Sequence, residues 1–232
     1  MALSAGDVAE RLAVVRDRIA RAGARPDDVR IVAVTKGHGK EAVEATVEAG
    51  LRDVGENYAQ ELLAKREAAA IHEAHDDPTG PAPCWHFLGH VQRNKVRALA
   101  PAVDLWQAVD RVAAGAEIAR RAPGASVLVQ LNVSGEAQKH GCRPEEAPAL
   151  VDELIALGLD VRGLMAVGPT GPPEDARPGF RRLVQLADRL RLPERSVGMS
   201  DDLEVAVSEG ATMVRVGRAL FGPRSGGAEL RR

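Results

Sequence analysis

VRIVAVTK, Val29 to Lys36, is a short apolar run that ends in a lysine. Its apolar residues are continuous and do not alternate, which is the pattern of a parallel strand buried on both faces. Seven later runs read as strands, most of them also continuously apolar: Leu51 to Gly55, Trp85 to Leu88, Leu105 to Ala108, Ser126 to Val133, Val161 to Ala166, Ser196 to Gly198 and Met213 to Val216. The stretches between them are long enough for each crossover to carry a helix. Counting Arg30 to Lys36 as the first, eight strands predict an α/β fold closed as a single (β/α)8 TIM barrel over residues 30–222. Ahead of it, Val8, Leu12, Val15 and Ile19 form a helical stripe within Ser4 to Ala22, with Ser4 as the cap. This predicts a leading helix laid across the barrel.

The chain has 232 residues, near the usual size of one such barrel, so residues 1–232 are expected to form one domain. With 31 Lys and Arg against 33 Asp and Glu, the formal charge of −2 gives no pull toward nucleic acid or membrane. No apolar run approaches a bilayer span, and the first twenty residues carry acids and arginines where a signal peptide needs an apolar core. A cytoplasmic protein is expected. Cys84 and Cys142 lack disulfide or zinc spacing and read as buried small residues. Segments 72–83 and 168–179, dense in Pro, Gly and acids, read as long loops. The second leaves the rim of the barrel, as either a cover over a ligand or a surface insertion. From Pro223 onward no periodicity remains, and a frayed tail is expected.

The C-terminal ends of the strands surround one pocket, so Lys36 points an amine at whatever that pocket holds, and such an amine can form a Schiff base with an aldehyde. GMSDD (Gly198 to Asp202) and VRVGRALFG (Val214 to Gly222) are each a strand end, a Gly or Ser turn and a helix start, in the places where barrels of this kind bind phosphate. Gly198 and Gly217 allow close approach of the backbone, and the Ser200 hydroxyl adds a donor. Asp201 and Asp202 must point outward along the first helical turn if an anion binds there. Arg215, between Val214 and Val216, faces the barrel interior, where it needs either a partner or a ligand. Asn57 is either a ligand donor or a helix cap. His86 and His90 straddle a strand end, so no metal site is expected from them, and Gly37, Gly39 and Lys40 lack the spacing of a nucleotide loop.

IVAVTK (31–36), DVGENYAQE (53–61), WHFLGHVQRNK (85–95), LVQLNVSGEAQKHG (128–141), RGLMAVGP (162–169), SVGMSDD (196–202) and TMVRVGRALFGPR (212–224) together resemble, in order, the pyridoxal phosphate homeostasis protein family. The resemblance implies a barrel like the N-terminal domain of alanine racemase that binds pyridoxal 5′-phosphate (PLP) as a Schiff base on Lys36. It implies Asn57, His86 and Met165 along the cofactor, Ser200 and Gly217 at its phosphate, and Arg215 at its pyridine nitrogen. Arg218 also belongs to this set, although many relatives carry a small hydroxyl residue there, which leaves only a backbone contact. The Gly37 to Gly39 stretch departs from the family pattern too.

A free lysine is protonated at neutral pH, with a pKa near ~10.4, whereas Schiff-base formation needs the neutral amine. Burial and the nearby Arg215 would both favour it. An arginine at the pyridine nitrogen disfavours protonation there and weakens the ring as an electron sink. Racemases of this type also take a tyrosine from a second domain, for which no room follows Gly222, and Tyr58 is the one tyrosine present. The expected function is therefore a carrier and regulator of PLP in vitamin B6 homeostasis, with no catalytic residue, PLP-dependent apoenzymes as recipients and a monomeric state. The rival readings are a PLP enzyme such as a low-activity amino-acid racemase, and a lysine-dependent aldolase acting on a sugar phosphate.

Overall fold

A computed structural model describes residues 3–73, 82–136 and 138–223, with the backbone alone at 69–73. After a leading helix α1 (Ala5–Arg21), strands and helices alternate: β1 (Arg30–Val34), α2 (Glu41–Glu48), β2 (Asp53–Glu56), α3 (Ala59–Glu73), β3 (Cys84–Phe87), α4 (Arg93–Leu99), β4 (Leu105–Val109), α5 (Val112–Arg121), β5 (Ser126–Leu131), α6 (Ala147–Ala156), β6 (Asp160–Ala166), α7 (Arg177–Arg189), β7 (Glu194–Ser196), α8 (Leu203–Ser208), β8 (Met213–Val216) and α9 (Arg218–Phe221). Each strand pairs in parallel with the next, and β8 returns to β1 with Ile31 opposite Val214 and Val32 opposite Arg215. The barrel is closed, as the eight-fold repeat predicts.

Alternation along each strand sorts the core into two layers. Val32, Leu105, Ala108, Leu128, Met165 and Met213 pack together inside the barrel, while the outward faces join the helices in a larger cluster. β1, β3, β5 and β7 end earlier than the apolar runs suggest, and β2 and β4 end one residue later. β1 stops at Val34, which leaves Lys36 two residues beyond it. β7 occupies Glu194–Ser196 and not 196–198, because Gly198 adopts φ 93°, outside strand geometry.

Helix α1 begins with a capping box in which the Ser4 hydroxyl accepts from Asp7 N–H and the Asp7 carboxylate accepts from Ser4 N–H. Its buried residues are Val8, Leu12, Val15 and Ile19. It does not lie across the barrel. It packs against α2, α8 and α9 in the outer ring, where the four-residue α9 would leave a gap. Arg11 reaches the Leu220 carbonyl at 3.1 Å, and Arg18 pairs with Glu204 at 2.6 Å.

Segment 168–179 is not the long loop its composition suggests. A 3-10 turn (Pro173–Ala176) runs directly into α7, whose second residue is Pro178, and Ala176 is buried. Proline in the first turn of a helix lacks only an N–H that has no partner there anyway. Segment 72–83 starts as the end of α3, and residues 74–81 lie outside the described residues, as does the tail after Pro223. Among the described residues no helix is long and apolar enough to cross a membrane.

Gly163 in β6 has no room for a side chain, since a Cβ there would lie 2.0 Å from the Glu194 carbonyl oxygen of β7. Gly163→Ala is expected to cost about 2–3 kcal/mol by pushing the two strands apart. A urea unfolding midpoint equal to that of the parent protein would contradict this packing.

Candidate functional site

A cavity of about 470 Å³ opens at the C-terminal ends of the strands. Its lining includes Lys36, Asn57, Met165, Ser200, Arg215, Gly217 and Arg218, drawn from β6 and β8, the segments just after β1, β2 and β7, and the turn from β8 into α9. Seven of the eight residues singled out in the sequence thus meet in one place. The pairing of β1 with β8 is what brings the Lys36 loop beside Arg215 and Gly217.

Lys36 is half-buried, and its neighbours in the chain are held firmly. Thr35 continues the sheet by donating its N–H to the Gly55 carbonyl at 3.1 Å. Its hydroxyl donates to Glu56 Oε1 at 2.5 Å, and Lys65 of α3 donates to the Thr35 carbonyl at 2.8 Å and to Glu56 Oε1 at 2.5 Å. On the other side, Gly37 N–H donates to Glu61 at 2.8 Å. Burial raises the Glu56 carboxyl above its ordinary range, opposed by the Lys65 charge and hydrogen bonds. Among the described residues, the buried Glu56 Oε2 meets no hydrogen-bond partner. The Gly-rich stretch after Lys36 is therefore anchored from α3.

The two turns facing Lys36 are locked to each other. The Ser200 hydroxyl accepts from Ala219 N–H at 3.2 Å, and a Cβ on Gly217 would sit 3.0 Å from the Val34 carbonyl. Asp202 does not point outward. It is buried and accepts from Met199 N–H at 2.6 Å, closing the β7 turn from within. Asp201 is exposed and pairs with Arg218 at the cavity rim. Arg215 is buried, with Nη1 donating to the carbonyl and the hydroxyl of Ser196 and Nη2 to the Ala166 carbonyl, each at 2.7 Å. Burial lowers its pKa to about 10, with the Asp202 charge opposing the shift. It remains a cation at neutral pH.

His86 departs from the expected lining. It is fully buried below the cavity, between Asp53 Oδ1 at 2.9 Å and the Gln107 amide at 2.6 Å. Leu88, two residues on and on the same face, lines the cavity in its place. His86 and His90 do not converge. Each joins a separate trio with metal-type donors, Asp53, Cys84 and His86 or His90, Asp110 and His140. In the first, Asp53 already takes His86 Nε2, and in the second, Arg111 holds Asp110 at 2.5 Å. Cys84 and Cys142 are half-buried and not fully buried as expected, and burial pushes their thiols up to about 11 and about 12.

Residues 9–225 match the family model described as the N-terminal domain of alanine racemase. A pyridoxal phosphate homeostasis protein of Pseudomonas aeruginosa is 41% identical over 98% of this chain and 99% of its own length. Another from Deinococcus radiodurans is 41% identical over 90% of this chain and 97% of its own. This chain belongs to the pyridoxal phosphate homeostasis protein family. Among solved structures, PipY of Synechococcus elongatus with PLP bound is 32% identical, with a TM-score of 0.76 over 93% of this chain and 100% of that one.

Beyond its lining, the site includes the anchoring of the Lys36 backbone, which has no signature in the sequence. Glu56 and Lys65 lie nine positions apart on a strand and a helix, a spacing with no local signature. Lys65→Met is expected to lower stability by about 3 kcal/mol at pH 7, because it leaves Glu56 buried without its cation. Glu56 has a raised pKa in the folded state, so the folded state takes up the proton before the unfolded chain does. The deficit should shrink as pH falls through the carboxyl range and grow as pH rises. Urea unfolding at pH 5 and pH 7 checks both sign and size.

Proposed function

We propose that this chain binds PLP in the cavity between β1, β7 and β8, with Lys36 as the Schiff-base residue. We further propose that it acts in the cytoplasm as a monomeric, reversible carrier in vitamin B6 homeostasis, with PLP-dependent apoenzymes as recipients. The observation that carries the reading is the convergence of an amine, a buried guanidinium and two locked turns on one cavity, in a family whose member PipY was crystallised with PLP.

The donor set fits the group. Bound PLP supplies an aldehyde that an amine captures reversibly. Lys36 offers that amine from a backbone held on both sides, so its side chain alone has to move. Ser200 and the backbone at Gly217 face the cavity where a phosphate needs hydrogen-bond donors, and Arg218 adds charge at the rim. Asn57 and Met165 supply a polar and an apolar wall. Arg215 donates hydrogen bonds and accepts none, so it stabilises an acceptor on the ligand without giving up its own proton. This favours retention over activation as an electron sink. Two cysteines that form no disulfide suit a reducing compartment.

Borohydride reduction of the PLP-treated protein, followed by peptide mass analysis, is expected to place one pyridoxyl adduct on Lys36 and none in Lys36→Ala. A colourless, unmodified protein would refute PLP binding. In the same preparation, incubation with L-amino acids is expected to yield no D-isomer, and robust turnover would favour the racemase reading over the carrier.

A further inference from the structure

Behind Arg215 a chain of side chains crosses the barrel interior, and its members His86, Gln107 and Ser196 lie outside the cavity lining. Arg215 Nη1 donates to Ser196 Oγ at 2.7 Å. A guanidinium can only donate, so the Ser196 oxygen is the acceptor and its own hydrogen must go elsewhere. It goes to Gln107 Oε1 at 2.7 Å. That contact orients the amide, whose Nε2 lies 2.6 Å from His86 Nδ1 and 3.1 Å from Met213 Sδ. An amide N–H facing Nδ1 requires that nitrogen to be unprotonated. The imidazole proton is then on Nε2, which lies 2.9 Å from Asp53 Oδ1 and 3.5 Å from Cys84 Sγ. One donor-only group therefore dictates the direction of four successive hydrogen bonds. They run from the cavity to the opposite mouth of the barrel, where Arg30 stands 3.9 Å from Asp53.

We propose that His86 and Gln107 are positioning residues for the cavity: together with Ser196 and Asp53 they form a one-way hydrogen-bond chain that fixes the Arg215 guanidinium. Its relevance to PLP rests on the function proposed above. Both carbonyls that Arg215 meets, at Ala166 and Ser196, are backbone groups, so the Ser196 hydroxyl is the one acceptor in its grip that can rotate away. Gln107 removes that freedom by taking the hydroxyl hydrogen. His86 in turn holds the Gln107 amide, and Asp53 holds the tautomer of His86, in the manner of supporting shells around other functional groups.

The chain has a signature that does not depend on the ligand. In protein labelled with 15N-histidine and free of PLP, His86 is expected as the neutral Nε2–H tautomer at neutral pH, and an Nδ1–H tautomer would overturn the proposal. Gln107→Met, similar in volume but unable to bridge, is expected to weaken PLP binding about tenfold and to shift the absorption band of the bound cofactor. Gln107→Glu keeps the acceptor toward Ser196 and can share one proton with His86 Nδ1, so binding is expected within about threefold of the parent. Parental affinity and spectrum in a folded Gln107→Met, or a Gln107→Glu as weak as Gln107→Met, would overturn the positioning role. A parent protein that forms no pyridoxyl adduct would overturn the cofactor reading instead, and the tautomer measurement would still decide whether the chain exists.

Discussion

Arg215 sets a guanidinium inside the barrel, where a cation without acceptors is not tolerated, and much of the interior follows from supplying them. Strand ends provide two. β6 stops at Ala166 and β7 at Ser196, and the carbonyls of these last residues are turned to Arg215. The short β7 and the sharp Gly198 turn after it are thus linked to a charge on the neighbouring strand. Two polar residues among the interior aliphatics have the same origin. Ser196 and Gln107 sit beside Met213 and Leu105 because the hydrogen bonds that begin at Arg215 must end somewhere, and they end at a carboxylate at the barrel mouth.

Lys36 is treated in the opposite way. Its backbone is fixed on both sides by Thr35 and Gly37, through Glu56, Glu61 and Lys65. The Lys36 backbone and the Arg215 guanidinium are therefore positioned by separate sets of hydrogen bonds. A rigid guanidinium opposite a side chain on a fixed backbone leaves little to reorganise when the cavity is filled.

The fold was legible where the signal was local or periodic. Short runs, most of them continuously apolar, marked eight strands, and the Val8, Leu12, Val15, Ile19 stripe with its Ser4 cap marked α1. Depth was not legible. Cys84, His86 and Leu88 share a face, and alternation alone cannot tell which of them reaches the cavity. Turn chemistry misled at 168–179, where Pro173 and Pro178 open helical turns instead of breaking them. It misled again at Asp202, whose carboxylate turns inward to a backbone N–H. The Glu56 and Lys65 pair depends on how α3 docks on β2, which no spacing rule encodes.

Helix α1 completes the outer ring, yet Arg18 also reaches past Glu204 to the Ser200 carbonyl at 2.9 Å, in the turn that faces Lys36. The docking of α1 and the closure of that turn share a residue, so their free energies are coupled in both directions. A ligand that tightens the Ser200 turn through this contact lowers the population of locally opened α1, and a weakened α1 loosens the ligand. Solvent exchange at the amides of this outer helix would thus act as a distant gauge of how full the central cavity is.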